Sequence, residues 1–121
     1  IYHSYADAPL KTTQNTQKVI IAIRKATKLR SASPAITDSL GLAYFLTGEH
    51  LRAVEFLEQA LAGQPQDPTI NEHLGDAYWT VGRKFEARYA WQSAKLFAEE
   101  SEIERLSEKI DIGLRPGLVS P

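Results

Sequence analysis

The chain has 121 residues, of which 43% are hydrophobic, and its formal net charge is −1 at pH 7. This length and apolar content predict one domain with a core of ordinary size, and the near-neutral charge shows no electrostatic footprint for nucleic acid. The chain contains no cysteine, which excludes disulfides and thiolate metal sites. The longest aliphatic run, residues 19–23, is too short to cross a membrane.

Residues 1–33 precede the most regular part of the chain. Residues 8–16 contain Pro9 and Asn15 and predict a loop, whereas residues 17–30 have the apolar spacing of a helix. That helix is basic, which indicates a solvated surface or contact with an acidic neighbour. The chain lacks methionine and begins at Ile1, so we expect a piece of a longer protein and leave its compartment open between cytoplasm and periplasm.

Residues 34–101 consist of the same 34-residue unit written twice. Ser33 and Asp67 each precede a proline, and a small oxygen-bearing residue followed by proline is a strong signal for the start of a helix. Gly48 and Gly82 stand where these first helices end, at positions that favour a left-handed backbone. The residues that are identical in the two units are these: Pro34/Pro68, Ile36/Ile70, Leu40/Leu74, Gly41/Gly75, Ala43/Ala77, Tyr44/Tyr78, Gly48/Gly82, Ala53/Ala87 and Ala60/Ala94.

The rest of each unit predicts a second helix. Its inward face carries spaced small and large apolar residues: Ala53, Leu57 and Ala60 in the first unit, and Ala87, Trp91 and Ala94 in the second. Gly41 and Gly75 lie inside the first helices, where glycine costs about 0.5–1 kcal/mol relative to alanine. Because it recurs at the same position, we expect a close approach between helices there.

The period and the Leu-Gly-x-x-Tyr segments at residues 40–44 and 74–78 resemble the tetratricopeptide repeat (TPR) family. The resemblance implies an all-α fold in which helix–turn–helix units stack into a right-handed superhelix, an α-α solenoid. Residues 1–33 then form a partial repeat, and residues 34–67 and 68–101 form complete ones. Residues 73–79 and 82–88 look like the closing repeats of bacterial TPR proteins, which suggests a bacterial source.

Residues 102–114 are expected to form a C-terminal capping helix, followed by a tail over residues 115–121. Ser101 followed by Glu104 fits a capping box, which predicts a helix start at Glu102. Gly113 is expected to end this helix. One narrow apolar stripe faces the last repeat, and charged residues occupy the other faces. The stripe consists of Ile103, Leu106 and Ile110.

The resemblance implies a scaffold for protein–protein interaction, with a partner protein or peptide held in the concave groove that the first helices line. The predicted partner-binding residues are Asp38, Leu42, Phe45, Glu72, His73, Asp76 and Trp79. Carboxylates among apolar residues favour a partner with basic and apolar side chains. No lysine or arginine occupies the positions at which some TPR domains hold acidic chaperone tails, so we do not expect such a ligand. For Phe45 and Trp79, packing against the adjacent repeat is the alternative.

Residue types that act in catalysis or metal binding do not form a recognisable group in this sequence. The glycines are isolated, and His73 with Asp76 and Glu72 lacks the further ligand that a metal site needs. We therefore expect neither an enzyme nor a bound cofactor or metal, and no nucleic-acid or membrane partner. Two alternatives stay open. The chain could be a self-assembly module that forms a homo-oligomer, or the accessory part of a larger enzyme.

Overall fold

The computed structural model describes residues 33–115 together with Gln17, Lys18, Ile20 and Ile21. Residues 33–115 are all-helical, and helices that adjoin in sequence pack against one another. The five helices of this range are α1 (Pro34–Leu46), α2 (His50–Gly63), α3 (Pro68–Thr80), α4 (Lys84–Phe97) and α5 (Glu100–Ile112). The prediction of an all-α chain is thus confirmed for the described part. Most of the predicted partial repeat and all but the first residue of the predicted tail lie outside the described residues.

The first helices of the two units begin and end in the same way. Ser33 Oγ accepts a hydrogen bond from the Ile36 N–H at 3.2 Å, and Asp67 Oδ1 accepts one from the Ile70 N–H at 3.0 Å. Each cap satisfies a backbone donor that the helix itself leaves unpaired. At the other end, Gly48 and Gly82 have φ angles of 89° and 90°. This left-handed backbone favours glycine.

The two helix hairpins also cross at the same place. A Cβ atom added at Gly41 would lie 2.6 Å from Leu57 Cγ, and one added at Gly75 would collide with the ring of Trp91. Glycine therefore allows α1 to approach α2, and α3 to approach α4, more closely than any side chain would permit. This confirms that the recurring glycines serve close packing.

The core runs without a break from one hairpin to the next. Each unit contributes its Leu-x-x-x-Tyr pair and its small alanines, and α5 with the segment after it adds Leu106 and Leu114. Among the largest fully buried side chains are Leu57, Trp91 and Leu106. The described chain thus has a helical, repeat-like architecture in which each pair of helices packs on the next.

The C-terminal helix differs from its prediction at its start. α5 begins at Glu100, its N-cap is Glu99, and no side chain forms a capping hydrogen bond. The predicted capping box is wrong, because Ser101 already lies inside the helix. The predicted end at Gly113 is confirmed, since this residue has a φ angle of 86°.

Candidate functional site

The predicted partner-binding residues all lie on α1 and α3, and the structure divides them by burial. Four of them are buried, each at 5% exposure or less: Phe45, Glu72, His73 and Asp76. The others are partly exposed: Asp38, Leu42 and Trp79. The carboxylates of α3, which the sequence placed along an open groove, are therefore covered by protein.

Lys109 of α5 lies between the two carboxylates of α3. Its Nζ atom donates to Glu72 Oε2 at 2.6 Å and to Asp76 Oδ1 and Oδ2 at 2.9 and 3.1 Å. Glu72 and Asp76 are four residues apart and share one face of α3, so one ammonium group reaches both. The Lys109 side chain has no exposed surface.

Arg105 completes this arrangement one turn earlier on α5. Its Nε and Nη2 atoms donate to the two carboxylate oxygens of Glu72 at 3.0 and 2.8 Å, a bidentate pair. Two cations spaced by four residues on α5 thus meet two anions spaced by four residues on α3. We call Glu72, Asp76, Arg105 and Lys109 the buried ion cluster. Its formal charges cancel, so the chain itself neutralises the acidic face of α3.

Asp76 also connects the buried ion cluster to α4. Its Oδ1 atom accepts a hydrogen bond from Trp91 Nε1 at 3.0 Å, and the indole ring lies against the backbone at Gly75. A buried Trp N–H needs an acceptor, and a buried carboxylate needs donors. Asp76 therefore fixes the relative positions of α3, α4 and α5.

The two carboxyl groups of the cluster respond differently to their surroundings. Burial raises the pKa of Asp76 to about 6, against the opposing effect of Lys109. Burial also acts to raise the pKa of Glu72, but hydrogen bonds and charge from Arg105 and Lys109 outweigh it, so that this pKa is lowered. As the pH falls, Asp76 takes up a proton before Glu72 does.

His73 and Asp38, both predicted partner-binding residues, contact each other. His73 Nδ1 lies 2.8 Å from Asp38 Oδ1, which joins α3 to α1. The Asp38 side chain retains 14% exposure and that of His73 only 4%. This contact therefore links the first helices of the two units, as the buried ion cluster links α3 to α5.

Trp79 lies against its own hairpin and α5. Its ring is 5.6 Å from that of Trp91, and the cationic groups of Lys84 and Arg88 lie 4.8 and 5.1 Å from its centre. Arg88 Nε also donates to the Ile110 carbonyl at 3.0 Å, near the end of α5. These contacts of Trp79 lie within its own unit and at Gly113, the end of α5, whereas the alternative drawn from the sequence was packing against the adjacent repeat.

The sequence pattern does not identify Arg105 and Lys109 as site residues, because it places them on the charged outer faces of α5. Two signals pointed to them. Their spacing of four residues matches that of Glu72 and Asp76. Lys109 also follows Gly75 by one full repeat period, at a position that faces inward in both preceding units.

The described residues contain no group of three or more His, Cys, Asp and Glu side chains that is placed to hold a metal ion. The side chains of the candidate set, Glu72, His73 and Asp76, contact protein groups instead. Within the same part of the chain, no helix has the length and apolar content to cross a membrane.

A scan against protein-family models, a search of curated proteins and a search of solved structures find no match to this chain. Three features of the helices bear on its function: the duplicated hairpin, the buried ion cluster beneath α5, and the side chains that stay exposed on α1 and α4.

The raised pKa of Asp76 predicts how stability changes with pH. Between its unfolded value near 3.8 and its folded value of about 6, the folded state binds more protons, so unfolding becomes less favourable as the pH falls. Acidification from pH 7 to 5 is expected to add roughly 1 kcal/mol through this group. Below about pH 4.5 the effect of Glu72 on stability has the opposite sign. Its pKa is lowered in the folded state, so the unfolded chain binds a proton more readily and unfolding becomes more favourable as the pH falls.

Urea unfolding at pH 7 and pH 5 measures this effect, with Asp76→Asn as the matched control. Groups outside the buried ion cluster titrate equally in both proteins, and Glu72, whose pKa is lowered, stays ionised between pH 7 and 5. The gain in unfolding free energy on acidification should therefore be smaller in Asp76→Asn by roughly 1 kcal/mol. An equal gain in the two proteins would contradict the raised pKa.

Proposed function

We propose that this chain is a non-catalytic scaffold for protein–protein interaction, built from TPR-type repeats that stack into a superhelix. The observation that carries the proposal is the duplicated hairpin, in which caps, turns and glycine crossings recur at the same positions of both units. Stacked hairpins of this kind present extended surfaces to a partner. The bacterial source suggested by the sequence belongs to the same proposal.

In this proposal, the partner contacts the open part of the first-helix face, on α1. Leu42 is partly buried and Leu46 is 37% exposed, and Asp38 supplies a partly exposed carboxylate beside them. Leu42 occupies the position in the first unit that Asp76 occupies in the second. In the second unit, α5 covers Asp76 at this position. A partner segment with apolar and basic side chains suits this surface. The other predicted residues, Phe45, Glu72, His73, Asp76 and Trp79, support the surface from within.

A library of 15-residue peptides displayed on phage tests the proposal, with the folded chain as bait. We expect enrichment of peptides that combine basic and apolar residues. Leu42→Asp should weaken the enriched peptides about tenfold or more, because it replaces an apolar contact with a charge. Leu51→Asp is the matched control, since Leu51 is 77% exposed on α2 and lies outside the proposed surface.

No enrichment, or equal binding by the two variants, would contradict the proposed surface on α1. Charge reversal at Glu72 or Asp76 is not a usable test of binding. A lysine there would face Lys109 inside the protein, and unpaired buried charges destabilise the fold itself. Loss of binding in such a variant would therefore report unfolding.

A further inference from the structure

The connection between α4 and α5 differs from the other connections between the described helices. It consists of Ala98 and Glu99, and residues 84–112 contain neither glycine nor proline. Alanine and glutamate are strong helix formers. The amino acids at this joint therefore favour a helix that continues from α4 into α5. The three connections that precede it between α1 and α4 each contain a helix-breaking residue, namely Gly48, Pro65 and Gly82.

The backbone of this connection differs from a helix in two angles. Ala98 has φ −77° and ψ 158°, and Glu99 has φ −71° and ψ 156°. Both φ angles lie within the scatter of an α-helix, in which ψ is about −42°. Rotation of the two ψ angles would therefore join α4 and α5 into one helix.

A continuous helix would also satisfy the backbone groups at this joint. The last carbonyls of one helix and the first N–H groups of the next have no partners within their own helices. At the start of α5, no side chain supplies a capping hydrogen bond. In a continuous helix these carbonyls and N–H groups would pair with each other.

Contacts away from the joint hold α5 against its own unit. The buried ion cluster links α5 to α3, and Arg88 Nε of α4 donates to the Ile110 carbonyl at 3.0 Å. Leu106 and Leu114 add buried apolar side chains. None of these contacts involves the two residues of the connection. The same contacts can therefore form with an α5 that belongs to another molecule.

We propose that this chain has a second, dimeric form in which α4 and α5 are one continuous helix and each α5 packs on the other copy. Arg105 and Lys109 of one copy then complete the buried ion cluster with Glu72 and Asp76 of the other. Such an exchange is a low-cost route to a dimer, because it reuses contacts that the monomer already makes. The proposed peptide surface on α1 takes no part in it.

The pairing of α4 with α5 is compatible with a two-fold axis. Arg88 lies near the start of α4 and contacts Ile110 near the end of α5, so the two helices are antiparallel. Glu99 stands midway between these two residues in the sequence. In an antiparallel pair of identical helices, residues that face each other share one midpoint. With the axis beside Glu99, Arg88 of each copy therefore faces Ile110 of the other.

The sides of α4 and α5 also match in a continuous helix. Trp91 and Lys109 both donate to Asp76 Oδ1, at 3.0 and 2.9 Å. They are 18 residues apart, which is five complete turns, so they would lie on the same side. Arg88 and Ile110 would lie about 40° apart around the helix. One side of the continuous helix thus faces α3 of both copies, and a neighbouring side faces the other continuous helix.

Refolding from urea at different protein concentrations tests the exchange, because α5 has to leave its own unit before it can reach another. A tethered segment competes with a second molecule at effective concentrations in the millimolar range. We expect a monomer after refolding at about 10 µM and a growing dimer fraction towards about 1 mM. Sedimentation equilibrium of the refolded protein measures the mass.

Glu99→Pro distinguishes the two forms. The φ angle of Glu99, −71°, suits proline, and Ala98 has the extended backbone that a residue before proline adopts. The monomer should therefore keep its fold, which far-UV circular dichroism checks. Inside a continuous helix, proline would remove a hydrogen bond and collide with the Lys95 carbonyl. Dimer formation should then require concentrations at least about a hundredfold higher.

Glu99→Ala is the matched control for that variant. It removes the same carboxylate but leaves a strong helix former in the connection, so its dimer fraction should equal or exceed that of the parent. A parent that stays monomeric after refolding at 1 mM would overturn the proposal. So would a dimer that Glu99→Pro leaves unchanged, because its interface would not need the continuous helix.

A mixture of two variants tests whether α5 itself is exchanged. Lys109→Met leaves Asp76 without its cation, and Asp76→Asn lacks the matching anion. In a swapped heterodimer, Lys109 of the second variant reaches Asp76 of the first, and the two altered residues meet as an uncharged pair. Co-refolding should therefore give dimers at concentrations at least about tenfold lower than either variant alone requires. A mixture that forms no more dimer than the separate variants would overturn the exchange of α5.

Discussion

Lys109→Met is expected to destabilise the protein by about 3–5 kcal/mol, the range for removing one partner from a buried ion pair. Methionine preserves most of the volume of the lysine stem, so the change isolates the ammonium group. Without it, Asp76 retains Trp91 as a donor but faces Glu72 with no cation between them. Arg105 still holds Glu72, so most of the cost is expected from Asp76.

Urea unfolding at pH 7 measures this change, and two further variants define its cause. Lys95→Met removes a lysine from the exposed side of α4 and should change stability by no more than about 0.5 kcal/mol. Adding Asp76→Asn to Lys109→Met removes the uncompensated charge and should restore a large part of the loss. If Lys109→Met unfolded at the same urea concentration as the parent, the buried ion cluster would not hold α5 on α3.

The helices of the two complete units were predictable from sequence because their signals are local. Ser33 and Asp67 cap the helix that starts at the following proline, and Gly48 and Gly82 supply the left-handed residue at the turn. Each of these signals acts within a few residues. The repeat then shows each signal twice, so the starts of α1 and α3 agree with the sequence to the residue.

The buried ion cluster could not be predicted in the same way, because it depends on contacts between residues 33 to 37 positions apart. Periodicity shows that Glu72 and Asp76 share a face of α3, but it does not show what covers that face. On α5, the pattern separates apolar from charged residues and therefore assigned Lys109 to solvent. A fully buried lysine requires anions at matching positions on a neighbouring helix. Only the tertiary structure shows that α3 provides them.

The glycines also show what the sequence predicts and what it leaves open. Their recurrence predicts a close approach between helices, and the structure identifies the side chain that approaches each glycine. Gly75→Leu is expected to destabilise the protein by about 3 kcal/mol or more, because its first side-chain atom already collides with the Trp91 ring. Trp91 cannot shift without losing its hydrogen bond to Asp76. Leucine is also the better helix former by nearly 1 kcal/mol, so the measured loss underestimates the steric cost.

Thermal unfolding followed by circular dichroism measures this loss, which should lower Tm by about 10 °C or more for a chain of this size. Ser39→Leu is the matched control, because it adds a leucine at an exposed position of a first helix. Gly48→Ala tests backbone strain without a steric collision, since no atom lies within 4 Å of the added Cβ but the φ angle is 89°. A Gly75→Leu variant that melts within a degree of the parent would contradict the close crossing of α3 and α4. If the loss of stability caused by Gly75→Leu becomes smaller when Trp91→Leu is added, the collision is with the indole ring, because the smaller leucine at position 91 makes room.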